Sequence, residues 1–233
     1  SAMGAAIRAL GEVSGRAELA GRLPPGAARN AADCALWAWE ARRSGTPVWR
    51  LAGLPAPPAP VRSAFTISLG DPAAMAEAAR AAPAHRLLKL KLSGDGGDRD
   101  RVAAVRAAAP GATLIADANE GWGALDLEAE AAAMARLGVA LIEQPLPAGA
   151  DAALARRRPA VPFCADESCH TRADLDEVEG RYGLINIKLD KAGGLTEALA
   201  LRSEAARRGL GVMVGCMLST SLGVAPALLL AQG

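Results

Sequence analysis

Charged residues recur at the ends of short apolar segments along most of this chain. Counted from Lys91, they are separated by 26, 26, 23 and 22 residues, about the length of one strand and one helix. The set consists of Lys89, Lys91, Asp117, Glu143, Asp166 and Lys188. A charge in a buried strand costs free energy unless it is paired or functional, and parallel barrels carry their catalytic groups at the C-terminal ends of strands. The pattern predicts an α/β fold of the (β/α) barrel type.

The composition fits a globular protein and excludes several functional classes. The chain has 233 residues, of which 51% are apolar, and a net charge of +1. It therefore lacks the basic face that a nucleic-acid-binding protein needs, and no apolar stretch is long enough for a membrane helix. The N-terminus lacks the features of a secretory leader. Four cysteines without C-x-x-C spacing and two histidines argue against zinc and a Ser-His-Asp triad, and predict reduced thiols in the cytoplasm.

A proline-rich linker at residues 51–60 separates a helical N-terminal part from the predicted barrel. Seven strands are expected after it, and an eighth is absent, so we expect this chain to be a fragment of a longer protein or an incomplete record of one. Asp98 is expected to cap a helix, and Thr171-Arg-Ala-Asp174 resembles a capping box. The strands are predicted near 63–69, 87–92, 113–117, 139–143, 162–166, 184–188 and 211–216.

The residue types at the strand ends suit chemistry on a carbon acid. Strand alternation places Lys89 and Lys91 on one face, and the three carboxylates can converge on Mg²⁺, which prefers oxygen ligands. A metal-bound carboxylate has a more acidic α-proton because the metal stabilises the enediolate. Lys91 and Lys188 could serve as bases on opposite sides, with the Lys89 ammonium lowering the pKa of Lys91.

Each charge also has an ordinary structural explanation. The two lysines of residues 87–92 could belong to an exposed edge strand, and the carboxylates could be helix caps or members of salt bridges. Lys188 could extend to solvent. The regular repeat of the whole set favours a functional site over these separate explanations.

Several motifs resemble the muconate-lactonising subgroup of the enolase superfamily. The short ones are Lys89-Leu-Lys91, Asp117-Ala-Asn119, Glu143-Gln-Pro145, Ala165-Asp-Glu-Ser168 and Ile187-Lys188. Longer strings resemble bacterial L-Ala-D/L-Glu epimerases, which are dipeptide epimerases; they are residues 25–37, 165–172, 186–194 and 215–221. The resemblance covers nearly the whole chain.

The resemblance implies a role for each matching residue. Mg²⁺ would be the cofactor, with Asp117, Glu143 and Asp166 as its ligands. Lys91 and Lys188 would be the two acid/base groups, and Lys89 would contact the substrate carboxylate. Asn119 and Glu167 would support the metal, and Cys216 and Ser219 would lie near the substrate.

The same resemblance implies a TIM-type (β/α)7β barrel, here with seven strands visible and the eighth absent. Residues 1–55 would be the helical remnant of an N-terminal capping domain, and residues 61–233 the incomplete catalytic barrel. The capping loop that selects the side chain and the aspartate pair of the eighth strand are absent.

The implied function is Mg²⁺-dependent epimerisation at the C-terminal residue of a dipeptide, by two-base 1,1-proton transfer, in murein peptide recycling. The expected partner is this small-molecule substrate, without nucleic acid or membrane, and a homo-oligomer is left open. N-acylamino acid racemase, o-succinylbenzoate synthase and cycloisomerase are alternatives with the same residues. An inactive truncated barrel is an alternative of another class.

Overall fold

The computed structural model describes Gly4 and residues 13–232, and within them seven strands and eleven α-helices alternate along most of the chain. The strands are β1 (Phe65–Ile67), β2 (Leu87–Lys91), β3 (Thr113–Asp117), β4 (Val139–Glu143), β5 (Phe163–Ala165), β6 (Leu184–Ile187) and β7 (Gly211–Val214). The helices are α1 (Arg16–Arg22), α2 (Ala27–Ser44), α3 (Val48–Leu51), α4 (Pro72–Arg80), α5 (Asp98–Ala108), α6 (Leu127–Arg136), α7 (Leu175–Val178), α8 (Leu189–Ala192), α9 (Leu195–Arg207), α10 (Ser221–Val224) and α11 (Ala227–Leu230).

The seven strands form one sheet in which their order equals their order in the sequence. The pairs from β1 to β5 are parallel, as expected when a helix connects each strand to the next. The predicted α/β fold with seven barrel strands is therefore confirmed. The predicted division into residues 1–55 and 61–233 stays a prediction.

Contacts divide the chain into two compact units. The unit central in the sequence, here the central unit, consists of Arg62–Ser168 and Glu177–Leu184. The unit that flanks it in the sequence, here the flanking unit, consists of Ser1–Val61, Cys169–Asp176 and Ile185–Gly233. No helix in the described ranges is both long and apolar enough to cross a bilayer.

Strand β2 shows how the sequence positions the predicted lysines. Leu88 and Leu90 are buried on one face of the strand, while Lys89 and Lys91 are half-buried on the other. The period of two in the sequence therefore becomes an apolar face and a charged face of the same strand. This arrangement places both lysines on the side where the neighbouring strands end in carboxylates.

Local capping agrees with the sequence in most places. The Asp126 side chain accepts the backbone N–H groups of Glu128 and Ala129 at the start of α6, and the capping box of Thr171 and Asp174 is present at a 3-10 turn. These contacts satisfy N–H groups that a helix start leaves without a partner.

The prediction that Asp98 caps a helix is wrong. The N-cap of α5 is Gly97, without a side-chain hydrogen bond. The buried Asp98 carboxylate instead accepts the backbone N–H groups of Ser93 and Gly94 and the indole N–H of Trp122. The Asp98 carboxylate thus fixes the loop that follows β2. It receives more hydrogen bonds from donors in that loop than from donors in the helix.

Candidate active site

The strand register brings the ends of three neighbouring strands into one row. Lys91 of β2 is opposite Asp117 of β3, and Asp117 is opposite Glu143 of β4. Residues opposite each other in adjacent strands point to the same side of the sheet. The regular spacing of these charged residues in the sequence therefore corresponds to a row of charged side chains in the structure.

The lysine and carboxylate side chains of this row form a compact ionic cluster. The Lys89 ammonium lies 2.9 Å from Asp117 Oδ2 and 2.7 Å from Glu143 Oε2. The Lys91 ammonium lies 2.7 Å from the same Asp117 oxygen. Asp117 and Glu143 are both completely buried. Because a buried carboxylate needs a cation, each charge of the cluster depends on the others.

The charge states of the cluster are set by competition between burial and ion pairing. Burial would lower the pKa of Lys89, but the carboxylates of Glu143 and Asp117 outweigh it, so the pKa is raised and the side chain stays protonated. Burial raises the pKa of Glu143, and the negative charges of Asp117 and Asp166 raise it further. The positive charge of Lys89 lowers it, but the pKa remains above its ordinary value. A further cation near these carboxylates would relieve that repulsion.

Asn119 supports Lys91 from the loop after β3. Its side-chain carbonyl accepts a hydrogen bond of 2.8 Å from Lys91 Nζ, and its backbone N–H donates to Asp117 Oδ1. The residue has a φ of 45°, which is uncommon outside glycine and tolerated best by asparagine. Asn119 therefore orients both the lysine and the carboxylate that precede it.

Asp166 and Glu167 lie immediately after β5, in the same unit. Asp166 is buried and Glu167 half-buried. The Asp166 charge acts on Glu143, as its effect on the pKa of that residue indicates. The third predicted carboxylate is thus close enough to the row to interact with it.

The oxygen atoms of the row suit a hard divalent cation. One ammonium nitrogen, that of Lys89, lies within 3 Å of oxygens from both Asp117 and Glu143, so it stands in for a cation bridging the pair. Carboxylate oxygens are the ligands that Mg²⁺ prefers. Among the described residues, however, no three acidic, histidine or cysteine side chains are arranged to hold a metal together. The oxygens of Asp117 and Glu143 therefore have the chemistry that a hard cation requires.

Lys188 lies in the flanking unit, directly after β6. It is half-buried, and α8 begins at the next residue. Lys191, on α8, donates to the backbone carbonyls of Cys169 and Asn186. Lys191 therefore has a structural role, because its hydrogen bond to Asn186 ties α8 to β6.

Side chains from α2 hold the segment that follows Lys188. Arg29 donates to the carbonyls of Ala192 and Gly193, at 2.6 and 3.1 Å. Asp33 accepts the backbone N–H of Thr196 at 2.9 Å and its hydroxyl at 2.6 Å. Arg29 and Asp33 are both buried. These polar contacts fix both ends of the turn between α8 and α9.

The close approach of α2 requires glycine in this turn. A Cβ added at Gly193 would lie 2.3 Å from Arg29 Nε, and one at Gly194 would lie 2.5 Å from the Asp33 Cβ. Both glycines have positive φ, so a larger residue would also strain the backbone. The glycine pair is therefore explained by packing against α2.

Cys216 and Ser219 also belong to the flanking unit. Both are exposed and follow β7. A Cβ added at Gly223 would lie 2.2 Å from Ser219 Oγ, so the hydroxyl packs against the start of α10. Their predicted place beside the substrate stays a prediction.

Sequence reasoning missed Gln144, which lies between two predicted ligands in sequence. The residue is completely buried, and its side-chain oxygen accepts the backbone N–H groups of Asp166 and Ser168. A single glutamine has no periodic signature, so only its position inside the Glu143-Gln-Pro145 motif could have indicated a role.

Comparisons with known proteins agree with this architecture. Residues 72–232 match a family model described as Enolase C-terminal domain-like. The L-Ala-D/L-Glu epimerase of Escherichia coli (strain K12) is 50% identical over 215 residues, covering 91% of this chain and 66% of that protein. The N-acetyl-D-glutamate racemase of a Pseudoalteromonas species is 48% identical over 218 residues, covering 92% and 67% respectively. The chain thus spans about two thirds of the length of these relatives.

Solved structures are similar over the same region. An enolase family member from Agrobacterium tumefaciens with homology to dipeptide epimerases, with sodium and L-Ala-L-Glu bound, matches with a TM-score of 0.92 at 50% identity, covering 100% of this chain and 71% of that one. A dipeptide epimerase from Enterococcus faecalis V583, complexed with Mg and L-Leu-L-Tyr, matches with a TM-score of 0.82 at 30% identity, covering 89% and 61%.

Proposed function

Because the chain belongs to the enolase C-terminal domain-like family, we propose that it is the catalytic part of a Mg²⁺-dependent epimerase. Its reaction would invert the α-carbon of the C-terminal residue of a dipeptide of the L-Ala-D/L-Glu type. The observation that carries the proposal is the ionic cluster of Lys89, Lys91, Asp117 and Glu143 at neighbouring strand ends. The similar proteins named as dipeptide epimerases support the substrate class.

In the proposed site, the protein residues bind the substrate carboxylate and move its α-proton. Lys89, whose pKa is raised, would keep its charge and pair with the substrate carboxylate. Lys91, whose Nζ lies beside oxygens of Asp117 and Asn119, would exchange the α-proton on one face of the substrate. Asn119 would hold the Lys91 amine in the orientation needed for proton transfer.

Asp117, Glu143 and Asp166 would hold the metal, with Asn119 and Glu167 in support. Bound Mg²⁺ supplies stabilisation of the negative charge that develops on the substrate carboxylate. Lys188 would exchange a proton on the opposite face of the substrate, so that removal on one side and return on the other invert the centre. Cys216 and Ser219 would contact the substrate.

The proposed pathway and location rest on the proposed substrate. A dipeptide containing D- or L-Glu would come from hydrolysis of murein peptides, and we propose that the chain acts in their reuse in the cytoplasm. The four cysteines form no disulfide, which is compatible with that compartment. Homo-oligomerisation stays a prediction.

A second candidate is racemisation of an N-acylamino acid. The relative named N-acetyl-D-glutamate racemase is nearly as similar as the E. coli epimerase. Both reactions remove an α-proton beside a carboxylate, so the same lysines and metal ligands would serve either. The two functions differ in the group on the substrate nitrogen.

One experiment compares both candidates. The protein is incubated in D₂O with Mg²⁺ and either L-Ala-L-Glu or N-acetyl-D-glutamate, and the glutamate α-proton is followed by NMR. We expect loss of that signal from the dipeptide, appearance of L-Ala-D-Glu, and loss of both effects in EDTA. Faster exchange from N-acetyl-D-glutamate would favour the racemase. Full activity in metal-free buffer, or no exchange from either compound, would contradict the proposal.

A further inference from the structure

Gln144 has an unusual backbone conformation between two predicted metal-ligand segments. Its φ is 35°, a region that non-glycine residues occupy only when their surroundings enforce it. Its backbone N–H donates to the carbonyl of Cys164, and its carbonyl accepts from the N–H of Glu120. The residue is thus fixed from the strand ends on both sides.

The Gln144 side chain joins the end of β4 to the turn after β5. Its Oε1 accepts the N–H of Asp166 at 2.8 Å and the N–H of Ser168 at 3.2 Å. Two backbone donors that flank Glu167 therefore depend on a single oxygen. The position of the Asp166 backbone is set directly by this contact.

Asp151 determines which way the Gln144 amide points. The hydroxyls of Ser168 and Tyr182 donate to Asp151 Oδ2 at 2.6 and 2.7 Å, so their lone pairs face the Gln144 Nε2 at 2.7 and 3.0 Å. Arg181 donates to the other Asp151 oxygen. With the hydroxyl hydrogens directed at Asp151, Nε2 must be the donor and Oε1 must face Asp166.

We propose that Gln144, oriented by Asp151, is a positioning residue for the metal ligand Asp166. This inference rests on the metal site of the proposed function. Groups behind a ligand fix its direction, and their loss typically weakens metal binding by about 10- to 100-fold. Gln144 does not touch the reacting atoms; it acts through the backbone of the ligand.

The test is Mn²⁺ binding to the whole chain, measured by electron paramagnetic resonance of free Mn²⁺ without substrate. We expect Gln144→Met, which preserves the size of the side chain, to weaken binding by about 10- to 100-fold. Asp151→Asn should also weaken it, whereas Asp95→Asn, at an exposed carboxylate, should not. Should Gln144→Met fail to fold by circular dichroism, Asp151→Asn decides the result.

A destabilised control variant distinguishes a purely structural role of Gln144 from a role in metal binding. Leu154 is completely buried and lies three residues after Asp151. Leu154→Ala should lower the midpoint of unfolding in EDTA while leaving Mn²⁺ affinity unchanged. Mn²⁺ affinity equal to wild type in folded Gln144→Met, or in Asp151→Asn, would overturn the inference. If wild type does not bind Mn²⁺, or Asp166→Asn binds it equally well, the proposed metal site fails and the inference fails with it.

Discussion

The two regions that carry the predicted proton-transfer lysines are built in different ways. Around Lys91 in the central unit, the functional groups hold one another: ammonium groups neutralise buried carboxylates across three strands. After Lys188 in the flanking unit, the backbone is held by Arg29 and Asp33 of α2, to which we assign no chemical step.

This difference has a practical consequence for mutagenesis. In the central unit a change of charge should alter stability and chemistry together, because the same ion pairs serve both. In the flanking unit stability and chemistry should separate where the support comes from Arg29 and Asp33, to which no chemical step is assigned. Each of the following predictions tests this contrast.

The largest expected effect is on turnover in Lys188→Ala. Loss of a positioned acid/base group typically costs about 10²- to 10⁴-fold in rate, so net epimerisation should fall by that amount. The free energy of unfolding should fall by less than in the Lys89 variant described below, since the Lys188 side chain is half-buried and the α2 contacts remain. Epimerisation is measured by NMR and unfolding by urea titration; a large loss of stability would contradict the separation.

Lys89→Met should destabilise the central unit strongly. Removing one partner of a buried ion pair leaves the Asp117 and Glu143 carboxylates without it, at a cost of about 3–5 kcal/mol. Urea unfolding in EDTA measures this loss, and added Mg²⁺ should recover part of it by supplying another cation. A variant as stable as wild type in EDTA would show that the lysine does not hold the cluster together.

Asp33→Asn should have a smaller effect on stability and a selective one on exchange. The loss of one acceptor for the Thr196 donors should cost about 1–3 kcal/mol. Exchange in D₂O should slow only for the stereoisomer whose α-proton Lys188 removes. Arg42→Met, at an exposed position on the same helix, is the control. Equal slowing of both stereoisomers would indicate a general effect on folding.

The smallest effect concerns Cys34 on α2. Burial raises the pKa of its thiol from 9.0 to about 11, and the Asp33 charge contributes. The folded state therefore favours the neutral thiol. The contribution of this preference to the free energy of unfolding is complete below pH 9 and is lost as the pH rises towards about 11. Stability should fall less steeply in Cys34→Ala than in wild type over that range. Parallel pH profiles would contradict the prediction.

Much of the fold and part of the candidate site could be predicted from the sequence. The seven strands follow from apolar runs at a regular spacing, and the lysine face of β2 follows from strict alternation. The row of Lys91, Asp117 and Glu143 was predictable because parallel strands end at the same edge of a sheet.

The supporting contacts could not be predicted, because they depend on tertiary neighbours. Arg29 and Asp33 look like solvated charges of a helix, yet both are buried. Asp98 looks like a helix cap, yet its partners include Trp122, 24 residues away. Gln144 depends on Asp166 and Ser168, which approach it only when β4 and β5 pair. No local pattern encodes such contacts.

The most direct test of the two-lysine account compares Lys91→Ala with Lys188→Ala on both L-Ala-L-Glu and L-Ala-D-Glu. With Mg²⁺ in D₂O, exchange of the glutamate α-proton is measured by NMR for each stereoisomer. The account predicts reciprocal results: each variant loses exchange from one stereoisomer and retains it from the other. Loss or retention of exchange from both stereoisomers to the same extent in the two variants would contradict it.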